Sequence, residues 1–196
     1  MRMVLKHFLP EREFSWEELD EMSAKIAGKS TWPEQMLINL NHLGFDVAVV
    51  EGFDAKAFVA EGAAYLRRAF GQKTANWQIK NSDISQEQRI YQEFFKEGIP
   101  LDNRRPKLSE IQSRLDQGYL VVCVINAKRL ARQPGYSAHF VVIYKVGDDS
   151  VEFHDPGLPP IENRYVSHSE FEAAWADPNE QAKNFIALKY AGAARV

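Results

Sequence analysis

Two strand-like segments joined by a tight turn constrain this chain more than any other feature. They cover residues 137–144 and 151–157, with a turn around Asp148 between them. His139 lies nine residues before Asp148, and Asp155 lies seven residues after it. Residues at similar distances from a hairpin turn face each other across an antiparallel pair, so we expect these two side chains within hydrogen-bond reach. A histidine beside a carboxylate is the base and its orienting group in a nucleophilic triad.

The composition narrows the class of protein. The chain has 196 residues, of which 45% are hydrophobic, enough for a single domain with a sizeable core. The net charge of −3 and the lack of a basic stripe argue against a nucleic-acid partner. One cysteine excludes an intrachain disulfide, and no apolar run approaches the roughly 20 residues of a membrane span. We therefore expect a cytoplasmic protein that needs no cofactor, and the oligomeric state is left open.

Residues 1–117 show mainly helical patterns. Ser15 caps a helix and Glu18 completes a capping box, and apolar residues repeat at helical spacing from Met1 onward. Residues 71–83 are polar and are interpreted as a loop. The predicted helices cover about 1–8, 16–27, 32–43, 54–70, 84–97 and 109–117, and a short strand covers 45–50.

Strand patterns replace helical ones near residue 118. Residues 119–125 form an almost continuous apolar run, which is typical of a strand buried on both faces. Residues 138–146 and 150–155 form the hairpin, Ser167 caps a helix that reaches Trp175, and residues 184–190 form a last strand. Helices first and antiparallel strands later predict an α+β fold, a single domain with its helical part at about 1–117 and its sheet part at about 118–196.

Several motifs in this order resemble the C39-like cysteine peptidases of the papain-like superfamily. In the second half they are an apolar strand after Gly118, a histidine that opens a valine-rich strand, an Asp-Pro pair that closes the next strand, and a helix with Phe171 and Trp175. In the first half, residues 3–8, 16–19 and 44–47 look like the helical lobe of that family. The resemblance implies a papain-like fold, in which a helical N-terminal lobe packs on a twisted antiparallel sheet.

The same resemblance implies roles for individual residues. His139 corresponds to the catalytic histidine and Asp155 to the residue that orients it. The cysteine and the oxyanion-hole glutamine of the family would fall before Met1, so the helix at residue 1 resembles a central helix without its first turn. The resemblance favours either a peptidase for peptide or amide bonds whose nucleophile lies outside this sequence, or a pseudoenzyme that binds a peptide or partner protein. In-frame codons upstream for such a cysteine would favour the enzyme.

The site residues also have structural explanations. His139 is interpretable as a core histidine, and residues 155–157 as a simple turn. Cys123 is expected to pack in the core, away from His139, because a thiol in an apolar strand is hidden. His154 should point to the opposite face from Asp155.

Three further groups of residues suggest other functional hypotheses. A metal site formed by His139, Asp155 and His168 lacks ligand-spaced motifs, so no metal is expected. A basic loop is either solvated or contacts an anionic partner, and three tryptophans are interpreted as core or interface anchors rather than a ligand cage. These residues are Arg104, Arg105 and Lys107 in the loop, and the tryptophans Trp16, Trp32 and Trp175.

Overall fold

The computed structural model describes residues 1–157 and 159–192. They form two compact units, which we call the helical unit and the sheet unit. The helical unit comprises residues 1–47, 55–100 and the chain from residue 189, and the sheet unit comprises residues 48–54 and 101–188. The chain therefore enters the sheet unit, leaves it and returns, so the boundary between the units does not follow the sequence as simply as a split near residue 117.

Helices dominate the helical unit, as the periodicity predicts. Its interior is rich in aromatic rings: Trp32 stacks on Phe58 at 5.1 Å, and Tyr91 meets Phe58 edge-on at 5.7 Å. The side chain of Ser15 accepts a hydrogen bond from the Glu18 amide, which confirms the predicted cap. The helices are α1 (Arg2–Phe8), α2 (Trp16–Met22), α3 (Glu34–His42), α4 (Ala55–Glu61), α5 (Ala63–Asn81) and α6 (Ile84–Lys96).

The predicted loop at 71–83 is wrong, because most of it belongs to α5. Gly71 has a non-helical backbone with a φ of 76°, so the first helical stretch does stop near the predicted position. A second helical stretch follows directly, in which Thr74 and Ala75 are buried. The stretch contains good helix formers such as Gln and Lys, and burial of Thr74 and Ala75 adds the packing that stabilises the helix.

A seven-stranded sheet runs through the second half of the chain and takes in two strands from the first half. Its strands are β1 (Phe45–Glu51), β2 (Leu101–Asn103), β3 (Leu120–Asn126), β4 (Ala138–Val146), β5 (Ser150–Asp155), β6 (Ile161–Ser167) and β7 (Asn184–Tyr190), and the order is β2-β1-β7-β3-β4-β5-β6. The strands from β3 to β6 pair antiparallel, as does β7 with β3. β1 and β2 pair in parallel, so the fold is α+β with a mixed sheet rather than the antiparallel sheet expected. Parallel pairing is open to them because three helices separate them in the chain.

All five predicted strands exist, and two further strands escaped prediction. β2 has only three residues, and β6 is mostly exposed and polar, so neither carries an apolar signal. The remaining helices are α7 (Leu108–Asp116), α8 (Ala127–Leu130), α9 (His168–Trp175) and a 3₁₀ turn (Glu180–Ala182). The capping box that Ser167 and Glu170 predict at the start of α9 is present.

The core of the sheet unit lies between the sheet and two helices. Side chains of β3, β4 and β5 pack there against Ile111 of α7 and against Phe171 and Trp175 of α9. The indole N–H of Trp175 donates to the carbonyl of Asn184 at 2.7 Å, so this tryptophan is a core anchor, as predicted. His139 and Asp155 lie at one end of the same sheet.

Candidate active site

The β4–β5 hairpin brings His139 and Asp155 into direct contact. Nε2 of His139 lies 2.5 Å from Oδ1 of Asp155. The His139 side chain is 23% exposed and that of Asp155 is 7% exposed, so the pair lies at the edge of the core with the imidazole toward the surface. The sequence prediction that the two side chains lie within hydrogen-bond reach is therefore confirmed.

Strand register explains why the two side chains share one face. Val142 pairs with His154, so these two side chains share one face of the sheet. His139 is three residues before Val142 and Asp155 is one residue after His154, so both point to the other face. His154 points away from that face and stacks on Tyr144 with ring centroids 4.7 Å apart. The predicted exclusion of His154 from the site is correct.

Three donors hold the carboxylate of Asp155. His139 and the Gly157 amide, at 3.0 Å, both meet Oδ1, and Nη1 of Arg164 donates to Oδ2 at 2.7 Å. Burial alone would raise the pKa of Asp155, but the hydrogen bonds from Gly157, His139 and Arg164 outweigh it and hold the pKa below its usual value. Asp155 is therefore ionised at neutral pH.

The turn interpretation of residues 155–157 is also right, and it does not compete with the site. The hydrogen bond from the Gly157 amide to the Asp155 side chain closes an Asx turn. A Cβ on Gly157 would lie 3.0 Å from Oδ1 of Asp155 and 3.5 Å from Nε2 of His139. The glycine is needed because the backbone passes directly beside the pair.

A buried asparagine organises the β3–β4 connection that leads into His139. The Asn126 side chain is almost completely buried, and its Oδ1 accepts from the Lys128 and Ser137 amides. Its Nδ2 donates to the carbonyl of Gly135 and to Oδ1 of Asp177. The Asn126 side chain thus fixes both ends of the connection, and the second of these ends, Ser137, lies two residues before His139.

The family profile described as Peptidase_C39 like family matches residues 46–174, well over half of the chain. The chain belongs to this family. No curated protein matches it. The matched range contains both His139 and Asp155, so the pair lies within the part of the chain that the Peptidase_C39 like family shares.

The single cysteine of this Peptidase_C39 like chain lies in the core, as predicted. Cys123 is fully buried in β3, and burial raises the pKa of its thiol well above the usual value. It pairs with Val141, which is two residues along β4 from His139. Cys123 and His139 are therefore diagonal neighbours on the same face, a relation that typically separates the two residues by about 7–8 Å. Cys123 lies nearer to His139 than the sequence suggested, but it is not available as a thiolate.

The His139 ring uses one of its two nitrogens, Nε2, in the contact with Asp155. Within residues 1–157 and 159–192, the hydrogen bond of the His139 ring is the one that Nε2 makes to Asp155. With Nε2 protonated and bound to a carboxylate, Nδ1 carries the lone pair that accepts a proton.

The other residues singled out from the sequence lie elsewhere. Nε2 of His168 bonds to the carbonyl of Gly147, at the turn end of the hairpin, and the described part of the chain contains no cluster of three or more potential metal ligands. Arg104 is engaged by Asp102 and Glu110, as expected for a solvated loop.

The remaining two tryptophans take different places. Trp16 is exposed beneath the Arg2 guanidinium, whereas Trp32 belongs to the aromatic cluster of the helical unit.

Among the helices of the described residues, none combines the length and the apolar character that a membrane span requires.

The sequence interpretation missed two residues that matter to this site. Arg164 was overlooked because its strand, β6, is mostly exposed and was itself overlooked. Asn126 gave no signal, because an asparagine at the end of a strand looks like an ordinary turn residue.

Proposed function

We propose that His139 and Asp155 are the general base and the orienting carboxylate of a cysteine-peptidase site in a papain-like fold, acting on peptide or amide bonds. We further propose that these 196 residues do not supply the thiolate themselves. The observation that carries the first part is the ordered contact of Asp155 with Nε2 of His139. The observation that carries the second is the complete burial of Cys123.

The chemistry assigns one task to each group. Nδ1 of His139 takes the proton of a cysteine thiol, and the thiolate attacks the carbonyl carbon of the scissile bond. The imidazolium then gives that proton to the leaving amine, and a water molecule, deprotonated by the same nitrogen, hydrolyses the thioester. Asp155 stays ionised throughout and stabilises the imidazolium, since its pKa is low.

Cys123 is a poor candidate for the nucleophile. A thiolate needs a positive environment or a helix N-terminus to form near neutral pH. Cys123 has neither, and it lies in the middle of a strand among apolar side chains. A thiol on a segment joined to this chain, or on a partner, would have to meet Nδ1 of His139 instead.

Peptide-library digestion followed by mass spectrometry tests this proposal. The purified chain should cleave nothing, and Cys123→Ala should behave identically. If a longer form of the protein carries a cysteine outside these 196 residues, that form should cleave peptides, and this activity should require that cysteine, His139 and Asp155. Cleavage by the chain alone that Cys123→Ala abolishes would mean that the nucleophile is misassigned.

The same buried thiol favours a second candidate, a pseudoenzyme that binds a peptide or partner protein without cleaving it. Selection of a displayed peptide library against the chain distinguishes the two. A pseudoenzyme should retain peptides intact in both forms of the protein, and His139→Ala should weaken retention without any change in cleavage.

A further inference from the structure

Arg164 is the charged side chain that completes the surroundings of Asp155. Its Nη1 lies 2.7 Å from Oδ2, the carboxylate oxygen that His139 does not use. The Arg164 side chain is 22% exposed, and its guanidinium carbon lies 5.9 Å from the centre of the Phe153 ring. The pairing of Arg164 with Phe153 across β5 and β6 puts the guanidinium on the face that carries the site.

We propose that Arg164 is a positioning residue: it holds Oδ2 of Asp155 so that Oδ1 stays aimed at Nε2 of His139, which leaves Nδ1 as the base. The inference rests on the proposed function only where it gives Nδ1 of His139 the role of a base. The geometric part concerns the orientation of a carboxylate and the tautomer of an imidazole, and both can be observed without turnover.

An aspartate carboxylate can rotate about the last bond of its side chain. Its terminal torsion is broad and roughly two-fold, so the side chain alone does not keep a given oxygen on His139. The Gly157 amide and Arg164 bind different oxygens of Asp155, at 3.0 Å and 2.7 Å. Rotation of the carboxylate would break both bonds, so Oδ1 remains the acceptor for the imidazole.

Arg164 also affects the charge of Asp155. A buried carboxylate with one histidine partner would tend to take up a proton, because burial raises its pKa. Arg164 is one of the groups that lower the pKa of Asp155, so the site keeps an acceptor that requires the proton of the imidazole on Nε2. A guanidinium suits this place because it is always charged and stacks on an aromatic ring, here Phe153.

Two-dimensional ¹⁵N NMR of the histidine rings and ¹³C titration of the aspartate carboxyls test the proposal on the whole chain. In the native protein, the His139 ring should show the tautomer with the proton on Nε2. In Arg164→Gln the His139 signals should shift toward a mixture of tautomers. The pKa of Asp155 should rise, because the positive charge of Arg164, with Nη1 at 2.7 Å from Oδ2, is one of the groups that lower it.

Arg164→Lys separates charge from geometry and also serves if Arg164→Gln does not fold. The ammonium group should keep part of the lowering of the Asp155 pKa, while the loss of the planar fork should still perturb the His139 tautomer. Arg129→Gln is the matched control, because Arg129 is exposed in the same unit and does not contact Asp155. It should leave both signals unchanged.

Two results would overturn the proposal. One is an unchanged His139 tautomer and Asp155 titration in every folded Arg164 variant, which would make Arg164 only a structural ion-pair partner. The other is an equal change in Arg129→Gln, which would mean a non-specific charge effect. Neither result depends on peptide cleavage, so failure of this proposal is distinguishable from failure of the proposed peptidase chemistry.

Discussion

The sheet unit and the helical unit both bury carboxyl groups, and they treat the charge in opposite ways. In the sheet unit, Asp155 is 7% exposed and faces Arg164 and His139. In the helical unit, Glu34 on α3 and Glu87 on α6 are each 4% exposed. Burial by itself raises the pKa of a carboxyl group in either unit, so the opposite shifts of Asp155 and of the two glutamates come from their partners.

The partners of the two glutamates explain the difference. Burial and the nearby charges of Glu34 and Asp83 raise the pKa of Glu87 to about 8. Burial raises the pKa of Glu34 to about 7, although the Tyr91 hydroxyl donates a hydrogen bond that acts in the other direction. Oε2 of Glu34 has no hydrogen-bond partner in the described residues, which agrees with a carboxyl group that is protonated for much of the accessible pH range.

In this protein, the buried acidic residue at the candidate site is the one whose charge is retained. Asp155 keeps its charge through a hydrogen-bonded cation and a backbone amide, so it can orient an imidazole. Burial raises the pKa of both Glu34 and Glu87, so they favour the neutral form and behave as core residues whose protonation is linked to stability.

The largest expected effect comes from removing the central carboxylate. Asp155→Ala should lower the free energy of unfolding by about 3 kcal/mol at pH 7, because breaking a buried ion pair leaves Arg164 uncompensated. Asp155→Asn, which keeps the shape, should cost less. Urea unfolding followed by tryptophan fluorescence measures both. A loss below about 1 kcal/mol in Asp155→Ala would remove the contrast between the two units.

The pH dependence of stability should have opposite signs in the two units. Glu87 has a pKa of about 8 against an ordinary value of 4.5, so folding takes up a proton and stability falls as the pH rises between those values. The pKa of Asp155 lies below its ordinary 3.8, so its contribution is present above that value and is lost as the pH falls below it.

Glu87→Gln isolates the helical unit's part of this dependence. It should raise the free energy of unfolding by about 2 kcal/mol at pH 8, because it removes a charge that is costly to bury, and it should change little at pH 4.5. The exposed Glu93→Gln on the same helix serves as the control. Urea titrations at the two pH values measure the difference, and a gain of equal size at both would contradict the assignment.

A smaller effect should follow from filling the space beside the pair. Gly157→Ala places a Cβ 3.0 Å from Oδ1 of Asp155, so the carboxylate or the backbone must shift. We expect a loss of about 1 kcal/mol in thermal unfolding, together with a changed His139 ring spectrum. Gly192→Ala is not a suitable control, because Gly192 has a positive φ of 100°. Gly147→Ala, at the other end of the hairpin, provides the comparison. A stability loss with an unchanged imidazole spectrum would separate the turn from the site.

The smallest effect is expected where an ion pair is exposed. Arg104 contacts Asp102 at 2.6 Å and Glu110 at 2.5 Å, yet its side chain is 44% exposed. Arg104→Gln should change the free energy of unfolding by less than about 1 kcal/mol, since solvent screens such pairs. Chemical denaturation at low and high salt measures this change. A loss as large as that of Asp155→Ala would show that burial is not what distinguishes the two sites.

The sequence predicted the two residues at the centre of the site but not the residues around them. His139 and Asp155 were predictable because a tight turn and alternating apolar residues set the register of one hairpin. Arg164 was not, because its strand is exposed and polar and gives no periodic signal. The packing of Asn126 among four partners depends on Asp177, which follows α9, and on the β3–β4 connection, and these are distant or irregular in sequence.

Sequence alone determined the α+β composition, most helices and strands, the family and the contact between a histidine and a carboxylate. These depend on local patterns, which act within a few residues along the chain. The tertiary structure alone decided the parallel pairing of β1 with β2 and the burial of Glu34 with Glu87. It also decided the contacts of the Gly157 amide and of Arg164 with Asp155. Each of these depends on which surfaces meet, and whether a buried carboxyl group meets a cation then sets its charge.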